Sequence, residues 1–119
     1  MTYKEVATMV SGFGLPYAYY QFKETQQGPP FACFFFSGDN DLKADDSNYQ
    51  KIEHLIIEIY TETKDYDLES TVETQLAQSG MVWSKAEEWL DSERMMMVVY
   101  EMDVVITPPT TEENNVEQD

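Results

Sequence analysis

The stretch from Arg94 to Ile106 constrains the fold more than any other part of the chain. Met96, Val98, Tyr100, Met102, Val104 and Ile106 recur at every second residue, one apolar face sustained over six repeats. Successive side chains of a pleated backbone point to opposite sides, so this period predicts a long strand with one face buried. Met81 to Leu90 alternates more weakly, and the polar link Asp91-Ser92-Glu93 joins the two as an antiparallel hairpin. The run Met95-Met96-Met97 must then point to both faces, which favours a strand packed on two sides over a flexible binding surface.

Upstream segments supply further strands and two helices. Thr2 and Glu5 have the spacing of a capping box, and Tyr3, Val6, Ala7 and Val10 form one apolar stripe, which predicts a short helix over residues 2–11. Gly12 and Gly14 are expected to end it in left-handed conformations. Pro16 blocks continuation, and the aromatic stretch Tyr17 to Phe22 reads as a first strand. Gly28-Pro29-Pro30 closes a loop, and Phe31 to Ser37 is apolar on both alternations, as a central strand would be. Lys51 to Glu62 is rich in β-branched residues and predicts a long third strand. Asp65 or Asp67 can cap a second helix carrying Leu68, Val72 and Leu76, with Glu69 and Glu73 near its positive end and Gly80 stopping it.

The order is therefore α-β-β-β-α-β-β, an α+β fold with one mostly antiparallel sheet and two helices packed on it. Residues 1–106 are expected to form this single domain. Residues 107–119 contribute Pro108, Pro109, four acids and only Val116 to bury, and are expected to be a disordered acidic tail whose removal costs little stability. Two helices cannot cover both faces of a five-stranded sheet, yet the second and third strands read as apolar on both sides. That mismatch predicts an oligomer.

Charge narrows the function. Among 119 residues, 23 Asp and Glu oppose 7 Lys and Arg, a formal charge of -16. Nucleic-acid binders place cations on phosphates, and anionic membranes attract basic segments, so neither specific nucleic-acid binding nor membrane docking is expected. The content of 42% hydrophobic and 13% aromatic residues argues for a packed domain in spite of that charge. The amino-terminal residues lack the layout of a signal peptide, and no apolar run approaches the about 20 residues of a spanning helix, so a cytoplasmic origin is expected.

Little in the chain carries chemistry. The lone Cys33, within Phe31 to Phe36, has the surroundings of a small buried hydrophobe. The lone His54 has no partner at a spacing that marks a triad or a zinc site. Nucleotide-binding glycine loops are missing, so the chain is expected to be neither an enzyme nor a cofactor carrier. Asp39 and Asp41 match the first two ligand positions of an EF-hand loop, but Lys43, Ala44 and Gln50 stand where the motif needs a ligand, a glycine and a bidentate glutamate. No metal is expected there. Asp39, Asp41, Asp45 and Asp46 are instead assigned to an exposed loop between two core strands, a candidate protein-contact element.

Several of these segments together resemble a known family. Leu15-Pro16-Tyr17-Ala18-Tyr19-Tyr20-Gln21-Phe22, Pro29-Pro30-Phe31-Ala32-Cys33-Phe34-Phe35-Phe36, Ala44-Asp45-Asp46-Ser47-Asn48-Tyr49 and Ile57-Glu58-Ile59-Tyr60-Thr61-Glu62-Thr63-Lys64-Asp65 resemble small tail proteins of long-tailed bacteriophages of Gram-positive hosts. Within that group the pattern, spread over about residues 2–106, is most similar to the tail terminator, also called the tail completion or head-tail joining protein. The resemblance implies a virion protein assembled in the host cytoplasm. It implies a homo-oligomeric ring, commonly a hexamer, that caps the major tail tube protein, ends its polymerisation and meets the head-tail connector. An acidic wall beside a DNA path would repel phosphates. Another small neck protein, or an acidic DNA mimic that inhibits a host nuclease, is the alternative reading.

Overall fold

The computed structural model of the chain describes residues 1–21, 28–39 and 51–107. Among them it contains α1 (Tyr3–Ser11), β1 (Tyr17–Tyr19), β2 (Phe31–Asp39), β3 (Lys51–Thr61), α2 (Tyr66–Gln78), β4 (Ser84–Leu90) and β5 (Met95–Ile106). The strands form one mixed sheet in the order β1-β2-β3-β5-β4. Only β1 and β2 run parallel, and the other three pairings are antiparallel. This is the expected α+β architecture and element order.

Local chemistry accounts for the boundaries. The Thr2 hydroxyl accepts from the Glu5 amide at 3.1 Å, and the Glu5 carboxylate accepts from the Thr2 amide at 2.8 Å, so two orphan donors of α1 are satisfied reciprocally. For α2 the cap is Asp65, whose carboxylate accepts from the Leu68 amide at 3.0 Å. β1 stops earlier than the aromatic run predicts because Tyr20 takes a left-handed φ of 71°, which ends the extended backbone. β4 starts at Ser84 instead of Met81, since Met81 and Trp83 pack against the core as part of the connection from α2.

The expectation for Gly12 is corrected. Its φ is -70°, an ordinary right-handed value, and it is Gly14 at +80° that reverses the chain. Gly12 instead sits in a tight place: a Cβ there would lie 3.2 Å from the Met9 carbonyl oxygen and 3.3 Å from Gln75 Oε1 of α2, so these neighbours would have to give by a few tenths of an ångström.

Both helices lie on the same face of the sheet. Val6, Met9 and Val10 of α1 and Val72 and Leu76 of α2 join one core with Leu55, Ile57 and Ile59 of β3 and with Val98, Tyr100, Met102, Val104 and Ile106 of β5. The period-2 face of β5 read from the sequence is therefore the core face. At the amino terminus, Met1 closes the sheet's end: its ammonium donates to the Val105 carbonyl and the Thr107 hydroxyl, both at 3.1 Å, and the Thr107 amide donates back to the Met1 carbonyl at 2.8 Å.

Over β4 and β5 the helical layer is fastened by ions. Glu69, only 4% exposed, accepts from Lys64 at 2.9 Å and pairs with Lys85 at 2.7 Å. Lys85 also reaches Glu73 at 2.7 Å, Lys64 reaches Glu87 at 2.7 Å, and the Tyr100 hydroxyl donates to Glu73 at 2.8 Å. Burial pushes the Glu69 carboxyl up, but the hydrogen bonds from Lys85 and Lys64 outweigh it and hold the group below its ordinary value. Burial, then the bond to Glu73, drives the Tyr100 phenol well above its usual range.

Candidate functional site

The second face of the sheet carries no helix among the described residues. Because side chains of directly paired residues share a face, the register fixes its composition. Phe31 pairs with Tyr60, Cys33 with Glu58, and Phe35 with Ile56 across β2 and β3. Continuing outward, Tyr60 pairs with Met97, Glu58 with Val99, Ile56 with Glu101 and His54 with Asp103 on β5, and Leu90, Glu88 and Ala86 of β4 oppose Met95, Met97 and Val99. Phe31 stacks on Tyr60 at 4.7 Å between ring centroids, and Tyr20 stacks on Phe35 at 4.8 Å. Isoleucine, methionine, valine and aromatic side chains thus form a half-buried apolar face that no described helix covers, and it is this face that the excess of apolar positions in β2 and β3 builds.

Acids punctuate it. Glu58 accepts from the Tyr60 hydroxyl at 2.7 Å and lies beside Cys33. Burial, with Glu58 adding to it, pushes the Cys33 thiol up to about 11, so it stays protonated and unreactive at neutral pH. Toward the carboxyl end of β5, His54 sits between two carboxylates, with Nδ1 at 3.0 Å from Asp103 and Nε2 at 2.9 Å from Glu101. The hydrogen bond to Asp103, then that to Glu101, raises the imidazole above its ordinary value. The sequence shows no partner spacing for His54 because both partners come from the neighbouring strand.

This cluster has a pH signature. A raised pKa in the folded state means that the imidazolium stabilises the fold fully below the unfolded value of about 6.5. That contribution is lost as pH rises through the folded value. Wild type is expected to exceed His54→Gln by up to about 1 kcal/mol at pH 5.5, with the gap closing by pH 9, in chemical denaturation. A gap that does not change with pH would show that the imidazolium charge contributes nothing to stability.

The acidic contact element read from the sequence is only partly in view. Asp39 ends β2, opposite Glu53 of β3 after a register shift that begins at Phe36. Asp41, Asp45 and Asp46 lie outside the described residues, as do residues 108–119 of the expected tail. Among the described residues, no group of three or more His, Cys, Asp or Glu is placed to hold a metal ion. No helix among them is long and apolar enough to cross a membrane.

On the helical face, between α1 and the β1–β2 edge, an open groove of about 620 Å³ is lined by aromatic rings of Tyr3, Tyr19, Phe34 and Phe36, with Lys4 and Glu53 at its margin. The Tyr3 hydroxyl donates to Glu53 at 2.5 Å, and Tyr3 meets Phe36 edge-on at 5.1 Å. It can seat an apolar side chain.

The fold has a virion counterpart. Over 83% of this chain and 85% of the other, it matches a chain from the virion of a native gene transfer agent (GTA) particle, with a TM-score of 0.50 and 9% sequence identity. At that identity the likeness is one of fold. No protein-family model matches the chain, and no curated protein matches it in sequence.

Proposed function

We propose that this protein is a structural subunit of a phage-type virion, and within that class a tail terminator that assembles as a ring on the tail tube and joins it to the head connector. The observation that carries the reading is the one-sided covering of the sheet. Among the described residues both helices pack on one face, while half-buried Ile56, Tyr60, Met97 and Val99 line the other, a surface suited to contact with another polypeptide. The fold likeness to a chain of a gene transfer agent virion supports the same class, as do the segments that resemble phage tail proteins. In this reading the chain has no catalytic role and needs no cofactor. The formal charge of -16 keeps the ring from holding DNA that passes it.

Native mass spectrometry of the full chain, alone and mixed with the tail tube protein from the same source, tests the reading. The expected result is a hexamer, or a monomer that becomes a ring on the tube. A chain that remains monomeric and leaves tube length unchanged would overturn it.

A further inference from the structure

The groove on the helical face has walls suited to a cation. Tyr3 meets Phe36 at 81° and Tyr19 meets Phe34 at 89°, with ring centroids 5.1 and 5.3 Å apart, so rings in crossed orientations line one space. A sugar or a base stacks on a single flat platform, whereas crossed rings offer their negative faces to a compact cation from more than one side. Glu53 adds a full negative charge. It accepts from the Tyr3 hydroxyl, and a carboxylate has lone pairs left for a second donor. Lys4 stands at the same margin, so the fullest match is a cation that carries an acid beside it.

The chain carries one such segment at its far end. The turn between β4 and β5 is Asp91-Ser92-Glu93-Arg94, exposed throughout, with Arg94 the only arginine of the sequence and left-handed at a φ of 54° where the turn enters β5. Among the described residues no ion pair holds its guanidinium. Within one copy this turn cannot reach the groove. Glu53 pairs with Val104, ten residues on from Arg94 and roughly 30 Å away at the rise of a strand. The groove also borders β1 and β2, at the opposite edge of the sheet from β4. We propose that the β4–β5 turn of one copy seats in the aromatic groove of the next, with the Arg94 guanidinium against Tyr3, Tyr19 and Glu53, and Glu93 toward Lys4. A planar guanidinium stacks on rings and pairs with a carboxylate at once, which an ammonium does less well. The contact joins two different surfaces of the same chain, and head-to-tail contacts of this kind generate rings when the rotation closes. The inference rests on the ring reading and names the surfaces that build the ring, separate from the sheet face of Ile56 and Val99.

Charge exchange tests it, read by native mass spectrometry of the full chain, alone and on tail tubes. Arg94→Glu and Glu53→Arg, each by itself, place like charges across every contact and are expected to lose the ring under conditions where wild type forms it. Mixed in equal amounts, the two variants should rebuild rings in which they alternate, because each contact again joins opposite charges. A defect confined to one copy's own fold could not be rescued in this way. Arg94→Glu lies in an exposed turn, so its thermal midpoint should match wild type and serves as the folding control. Rings that persist in Arg94→Glu, or single variants that stay monomeric when mixed, would overturn the proposal and leave the ring reading in place. Rings lost in Tyr19→Ser but kept in Arg94→Glu would also overturn it, since the groove then takes a different occupant. A wild-type chain that forms no ring, alone or on the tube, would overturn both.

Discussion

Removing both cations from Glu69, in Lys64→Met/Lys85→Met, is expected to lower stability by about 3 kcal/mol at neutral pH, because it leaves a buried carboxylate without a counter-charge. In a domain of this size that is a fall of roughly 10 °C in the thermal midpoint. Each single substitution should cost far less, since the remaining lysine stays within 2.9 Å of the same oxygen. The two sites are therefore expected to be non-additive, a coupling that a double-mutant cycle reads directly. The pH dependence has a definite sign. Glu69 is held below its ordinary value in the fold, so its pairing stabilises above the unfolded carboxylate range and is lost as pH falls through the folded value. In the double variant only burial acts on the carboxyl, which then protonates more readily. The deficit relative to wild type should thus shrink toward pH 4, and a deficit that grows on acidification would show that Glu69 is not the group responsible.

Elements whose determinants are local were legible in the sequence. The capping box of α1, the Asp65 side chain before α2 and the period-2 face of β5 all act within a few residues, and each appears where the spacing puts it. What could not be read depends on register between strands. His54 meets Glu101 and Asp103 only because β3 pairs antiparallel with β5 in one particular alignment, and a shift of one residue would turn the imidazole to the other face. Glu69 looked like a helix-dipole partner, yet contact of α2 with β4 buries it against Lys64 and Lys85. Gly12 looked like a left-handed terminator, and what crowds it, the close approach of Gln75, belongs to the packing of α1 on α2. The open face was visible as an excess of apolar positions over helices to cover them, but which residues share it required the sheet order β1-β2-β3-β5-β4. The strand order also places β1 parallel to β2, which a short aromatic run cannot indicate.

Two adjacent isoleucines separate folding from assembly. Ile57 is 0% exposed in the core beneath the helices, opposite Tyr100, whereas Ile56 stands on the open face opposite Glu101 and keeps part of its surface in solvent. Ile57→Ala removes packed methylenes and leaves a cavity the core cannot close, so a loss of about 3–4 kcal/mol is expected, or roughly 10–15 °C. Ile56→Ala gives up far less buried area, and its cost should be about 1 kcal/mol or less. Polar substitution sharpens the contrast. Ile57→Asp would bury an unpaired charge among Leu55, Ile59 and Val98 and should leave no cooperative transition, whereas Ile56→Asp adds one more acid to a solvated, already acidic face and should melt near wild type. The same Ile56→Asp variant is expected to lose association with its partner, because the apolar row it interrupts is what a partner would cover. Thermal unfolding of the four variants, read beside their assembly, checks both halves. If Ile56→Asp unfolded like Ile57→Asp, the second face would be an internal core surface, and the case for a docked partner would go with it.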